Sequence, residues 1–246
     1  MKRLMAAAVL LGSTFTGYVA AEDAFSANVS FTTDYRFRGI SQTNRDPAVQ
    51  GGFDWSHASG FYLGGWGSNV SFTDGGTEFD FYGGWGTALS ESVALDMGVI
   101  YYAYPSDPDA DYVELQANLG FFGATVGLNY SPEYTYDTGT FFYLYGAYSL
   151  PLGDTFTLDF NLGLNQFKGG NLNSFLGTDP LFSNHGKSFI DYSISGSTNV
   201  AGLDLTLAFV GTDIDKDDCF PSLSPPDGSG DKACRGNLVF SISKSF

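Results

Sequence analysis

Arg36 and Arg38 flank Phe37, the last residue of a run from Phe25 that alternates in chemistry. Phe25, Ala27, Val29, Phe31, Thr33, Tyr35 and Phe37 occupy odd positions; Ser26, Asn28, Ser30, Thr32, Asp34, Arg36 and Arg38 occupy even ones. Side chains of a strand point alternately to its two faces, so both guanidiniums and the Asp34 carboxylate belong on the polar face. The same rule collects nine acids on polar faces: Asp34, Asp54, Glu78, Asp80, Asp96, Glu114, Asp159, Asp191 and Asp204. Against two arginines, nine carboxylates around a shared interior would focus a negative field and favour cations, as acidic rings do in channels. The spacing predicts a charged constriction in which Arg36 and Arg38 oppose Glu78, Asp80 and Glu114, with Asp34 and Asp191 in the same half. The plainer alternative is that these charges pair across the interior and plug it, because buried charges need partners.

Other chemistry is sparse. Only His57 and His185 are available for acid–base work. One falls in a short turn and the other in a long loop beside Ser183, so no catalytic residue is assigned and an enzyme of lipid modification is the least favoured reading. Cys219 and Cys234 share one polar, proline-rich stretch. In an oxidising compartment they can form a disulfide closing a loop of about 16 residues, at a gain of about 3 kcal/mol in the chain-entropy model. Two thiols without a nearby His make a poor zinc set. Asp213, Asp215, Asp217 and Asp218 alternate oxygens that could hold Ca²⁺, but they lack the Gly and distal Glu of an EF-hand loop, and a solvated acidic loop accounts for them. No metal or cofactor is expected.

The elements that must position these residues are strands. Polar–apolar alternation recurs around Val49–Trp55, Thr77–Trp85, Val93–Val99, Val113–Leu119, Ala124–Tyr130, Phe156–Leu164, Ile190–Ile194, Leu203–Phe209 and Leu238–Ile242. Phe61–Val70 and Thr140–Leu150 are strand-like with rings on both faces, so their inward side stays open; twelve strands result. Every second connection is the longer one, from Ser41–Pro47 to the last, Gly211–Asn237. Membrane barrels obey that rule, with short periplasmic turns and long extracellular loops. A secreted sandwich has no reason to. Trp55, Trp85, Tyr101, Tyr104 and Tyr130 fall near strand ends, where aromatic girdles mark the bilayer interfaces. Tyr62, Trp66, Tyr82 and Tyr102 could stack sugars if they face inward. Lys244 falls on the lipid face near a strand end, where it can snorkel.

Composition agrees. The 246 residues include 23 Phe, 15 Tyr, 3 Trp and 32 Gly, with 27 acids against 11 bases. Only 15% are charged, well under the roughly 25% of a soluble domain. The acidity excludes nucleic acid as a partner, since phosphates are held by clustered Lys and Arg. The rings exclude disorder. Residues 1–21 read as a signal peptide, with Lys2 and Arg3 before the apolar Leu4–Phe15 and small residues at Ala20-Ala21, and 22–246 as a single barrel domain.

Tyr35-Arg36-Phe37-Arg38-Gly39-Ile40-Ser41-Gln42, then Pro47-Ala48-Val49-Gln50-Gly51-Gly52, then Gly60-Phe61-Tyr62-Leu63-Gly64-Gly65-Trp66-Gly67-Ser68-Asn69-Val70 resemble the signature of the TorF family of porins. The motifs occupy the first third, while length and layout extend the likeness over the mature chain. The resemblance implies a barrel in the Gram-negative outer membrane. Together the readings predict a transmembrane antiparallel β-barrel of about twelve strands that passes ions or small hydrophilic solutes and prefers cations. Its partners would be outer-membrane lipid, those solutes and, during biogenesis, the barrel-assembly machinery. A non-conducting barrel acting as a surface binding or structural protein is the alternative.

Overall fold

A computed structural model describes residues 23–73, 76–168, 188–215, 219 and 232–246. The wall consists of β1 (Ala24–Thr32), β4 (Ala48–Ser56), β5 (Phe61–Asn69), β6 (Thr77–Ala88), β7 (Val93–Ala103), β8 (Tyr112–Phe121), β9 (Ala124–Tyr134), β10 (Gly139–Leu152), β11 (Phe156–Phe167), β12 (Ser188–Val200), β13 (Leu203–Thr212) and β14 (Asn237–Ser245). These twelve strands pair antiparallel with their chain neighbours. The barrel closes where β1 pairs with β14, Asn28 opposite Ser245 and Thr32 opposite Ser241. Closure leaves no unpaired edge, the condition for a sheet to stand in hydrocarbon.

Alternation sorts the faces as expected. Phe25, Val49, Phe61, Leu63, Leu162 and Leu238 point outward and are each about 60% exposed or more, an apolar surface that a bilayer would cover. Gln50, Glu78, Asp96, Glu114, Asn118, Asn129, Asn165 and Asp191 on the other face are buried. The two strands with rings on both faces are resolved by the same test. In β5 the inward residues are Tyr62, Trp66 and Ser68, while Phe61 and Leu63 are exposed. In β10 they are Phe141, Tyr143 and Tyr145, with Leu144 and Tyr148 outside.

The short connections lie at one end. Phe122-Gly123 and Ala201-Gly202 are two-residue turns with positive φ at both positions, the backbone that matches strand twist in a tight hairpin. Lys244 reaches this end, its Nζ donating to the Gly202 carbonyl at 3.1 Å. The described parts of the long connections lie at the other end, where the 3-10 turns η1 (Pro108–Ala110) and η2 (Thr135–Asp137) pack together. The Cys219–Cys234 disulfide is formed there. Residues 1–22, 74–75, 169–187, 216–218 and 220–231, and with them the expected signal peptide, Ser183, His185, Asp217 and Asp218, lie outside the described residues. Asp213 is placed: its carboxylate accepts the Ile190 amide at 2.7 Å.

One expectation needs correction. The first strand does not run to Phe37. It leaves the wall after Thr32, and residues 33–47 fold into the barrel as a small hairpin of β2 (Arg36–Phe37) and β3 (Ile40–Ser41). Tyr35, Ile40 and Thr43 are buried there. Period-2 alternation cannot show this departure, because the hairpin is itself extended. What turns the chain is the pair Arg38-Gly39, both at positive φ (47° and 82°). At Gly39 an added Cβ would stand 2.5 Å from both the Gly211 carbonyl oxygen and a Thr212 methyl. Only glycine combines that backbone with that proximity to the wall. Gly39→Val is therefore expected to unseat the hairpin without unfolding the barrel, read as new trypsin cleavage after Arg36 and Arg38 in a protein that keeps its heat-modifiable gel mobility.

Candidate functional site: a charged hairpin in the lumen

Arg36 and Arg38 approach the wall from inside the lumen, and they do so differently. Arg36 turns back on its own segment: Nε donates to Asp34 Oδ2 at 2.7 Å, and Nη1 donates to the carbonyls of Gly39, Ala233 and Arg235, each at 2.9 Å. Asp34 also accepts from Ser41 Oγ at 2.6 Å and Asn237 Nδ2 at 2.9 Å. Arg38 crosses to β8 and forms a two-pronged pair with Glu114, both N···O distances 2.7 Å. Parallel N–H···O bonds of this kind are the strong form of a carboxylate contact. Asn129 Nδ2 donates to the same carboxylate at 3.0 Å. Burial alone would lower the basicity of Arg38, but the Glu114 carboxylate together with Tyr134 and Tyr102 raises it.

The other predicted acids are inward but not on the arginines. Glu78 accepts from the Tyr35 hydroxyl at 3.4 Å, and burial with the nearby Glu78 and Asp80 holds that phenol in its neutral form. Asp191 accepts from Tyr143, Asn161 and Asn165 at 3.2, 3.1 and 2.8 Å. Nearer the short-turn end Asp54, Asp96, Asp159 and Asp204 accept from Tyr82, Asn118, Ser149 and Asn199. Their partners are neutral, so their charges remain uncancelled by a cation there. His57 sits in an exposed turn against Ser59.

Sequence reasoning missed an aromatic wall. Tyr102, Tyr112, Tyr134, Phe141 and Phe167 form a chain of ring contacts with centroids 4.1–4.9 Å apart between neighbours. Arg38 lies over three rings, 4.6 Å from Phe37, 5.0 Å from Phe141 and 4.3 Å from Tyr143. Tyr104 belongs to this interior and not to an outer girdle; it is buried against Phe72. Trp55 and Tyr101 do face outward. All four rings considered for sugar stacking face inward, but Tyr82 is bonded to Asp54, Trp66 packs on Tyr35, and Tyr102 stacks on Tyr112.

Glycines explain how rings fit a narrow bore. Tyr82 pairs across strands with Gly64, Tyr62 with Gly84, Trp66 with Gly52, and Tyr145 with both Gly127 and Gly163. A Cβ at Gly64 or Gly127 would collide with the ring lying on it. Each ring therefore lies flat on the wall instead of standing across the lumen. That pairing of ring with glycine was the available sequence signal. Gly64→Val should tip Tyr82 into the bore and lower single-channel conductance about twofold or more, against little change for a valine on the outward face, given that interior positions of small barrels are filled by side chains.

The family model described as a bacterial protein of unknown function (Gcw_chp) matches residues 19–246. The chain belongs to that family. No curated protein matches it by sequence. Among solved structures it is similar to the KdgM porin at 9% identity and TM-score 0.55, covering 90% of this chain and 99% of that one. It is also similar to the NanC porin at 9% identity and TM-score 0.53, covering 89% and 98%. LpxR from Salmonella typhimurium is a more distant likeness, at 7% identity and TM-score 0.43, covering 90% and 99%. At these identities the likeness is one of fold: a closed antiparallel β-barrel shared with porins.

Proposed function

We propose that this Gcw_chp barrel is an outer-membrane channel for ions or small hydrophilic solutes, cation-preferring, and narrowed near its long-loop end by the hairpin of residues 33–47. The observation that carries this reading is the charge of the interior. Nine inward acids meet two arginines, and one of those, Arg36, is held by the hairpin's own Asp34. The remaining carboxylates lie in a low-dielectric wall that concentrates their field on the lumen. The fold likeness to the KdgM and NanC porins supports a channel. One KdgM structure is described as a complex with oligogalacturonate, a polyanion; an acid-rich interior argues for a different solute here.

Recording the refolded protein in a planar bilayer under a KCl gradient tests the proposal. A reversal potential on the cation side is expected, and replacing residues 36–41 by a short Gly-Ser link should raise conductance severalfold, because a twelve-stranded bore lies between filled and open barrels. A reversal potential at zero or on the anion side would remove the ion preference. The second reading, a non-conducting surface barrel, draws on the same buried hairpin; it would be favoured by silence in both proteins.

A further inference from the structure

The pair formed by Arg38 and the wall has the anatomy of a ligand and its site. Glu114 offers two carboxylate oxygens to the guanidinium, each 2.7 Å from its nitrogen. Asn129 and Tyr102 donate to Glu114 and hold its orientation. Phe141 and Tyr143, both from β10, present their faces to the cation. A planar, weakly hydrated guanidinium is the cation that suits a carboxylate fork and ring faces at once; an ammonium is a point charge that uses only one of them. These five residues lie on the wall strands β7, β8, β9 and β10 and not on the hairpin.

The group now filling that site is supplied at a local cost. Arg38 carries φ of 47°, a conformation that a residue with a side chain adopts at some strain. A free solute would meet the same carboxylate and rings with no such strain. A small cavity adjoins the site, lined by Arg36, Arg38, Tyr143, Asn161, Asp191 and Ser193. Its one carboxylate, Asp191, accepts from Tyr143, Asn161 and Asn165 and shares the cavity with the two arginines.

We propose that Glu114, Phe141 and Tyr143 form a recognition site for guanidinium-bearing solutes, and that Arg38 is a built-in competitor occupying it in the closed barrel. The proposal deepens the channel reading by naming a solute class, and it rests on that reading for passage though not for binding. A solute that takes the site displaces the hairpin tip and widens the bore; when it leaves, Arg38 returns.

Chemical rescue tests it. In Arg38→Ala the site is vacant, and methylguanidinium at low millimolar concentration is the probe, with methylammonium and urea as the charge-only and shape-only controls. Methylguanidinium is expected to raise the temperature of the heat-modifiable gel shift and to reduce open-state current at about tenfold lower concentration than methylammonium, since only it satisfies both fork and rings. Adding Glu114→Gln to Arg38→Ala should abolish the difference. Equal midpoints for the two cations, or a preference that survives Glu114→Gln, overturns the site. If Arg38→Ala does not refold, Arg38→Lys serves: it keeps the charge and loses the fork, and methylguanidinium should still outcompete methylammonium. The thermal readout needs no current, so a silent barrel that binds methylguanidinium would retain the site and remove the channel, while a conducting one that ignores it would do the reverse.

Discussion

Glu114→Ala should destabilise the folded barrel by about 3–5 kcal/mol, the range for breaking a buried pair and leaving its partner charged and unpaired. Glu114 is fully buried and the Arg38 side chain is only 5% exposed, so water cannot replace the lost carboxylate at either end unless the hairpin moves. Two outcomes are therefore linked. Either the barrel absorbs the cost and its heat-modifiable transition falls steeply, or the hairpin swings out, limits the cost and opens the lumen. The double variant Arg38→Ala/Glu114→Ala distinguishes pairing from packing. It should be markedly more stable than Glu114→Ala alone, because no charge is then stranded. Urea unfolding in detergent micelles, followed by gel mobility, supplies the losses for Glu114→Ala, Arg38→Ala and the double variant. Additive losses in the double variant would mean that the 2.7 Å contacts contribute little to holding the hairpin.

Breaking the Cys219–Cys234 disulfide is expected to release the hairpin from its other side. The staple holds the segment whose carbonyls receive the hairpin's arginines. Arg36 Nη1 donates to Ala233 and Arg235, Arg45 Nε donates to Lys232 at 3.0 Å, and the Ser41 amide donates to Ala233 at 2.9 Å. The Thr212 hydroxyl pins the Cys234 carbonyl to β13 at 2.8 Å. A disulfide closing a loop of this length is worth about 3 kcal/mol through the unfolded chain. Here the loss should be local, since the wall's strand ladder does not pass through the cysteines. Reduction, or Cys219→Ser with Cys234→Ser, should leave the barrel's gel shift near its original temperature. It should expose Arg36, Arg38 and Arg45 to trypsin and make single-channel currents larger or noisier. An unchanged digest after complete thiol labelling would show that Asp34, Ser41 and Glu114 suffice to hold the hairpin.

Much of this architecture was legible in the residues because a barrel wall imposes a period of two with two different solvents. Along Val113–Leu119 or Ala124–Tyr130 the outward residue must suit hydrocarbon and the inward one the lumen, so composition alone reports the face. Loop alternation follows from the same closure and needed no coordinates. The disulfide was legible as well, since two cysteines in one loop leave a single pairing. The rings of Phe141, Tyr143 and Tyr145 were harder, because an aromatic suits a membrane interface as well as an interior. Only the glycines facing Tyr145 on both neighbouring strands show that it lies on the inner wall.

The hairpin of residues 33–47 required the tertiary structure. Its first residues, up to Arg38, alternate as a wall strand would, and nothing within Asp34-Tyr35-Arg36 tells a strand that stays in the wall from one that turns inward. That choice depends on partners distant in sequence: Glu114, 76 positions beyond Arg38, and the carbonyls of Ala233 and Arg235, nearly two hundred beyond Arg36. The alternation and charge of the sequence therefore established a barrel with an acidic interior, since faces and composition are local properties. Whether the two arginines line that interior or fill it is settled by which distant carboxylates and carbonyls the closed barrel brings within hydrogen-bond reach, because a buried guanidinium is stable only where its donors are met.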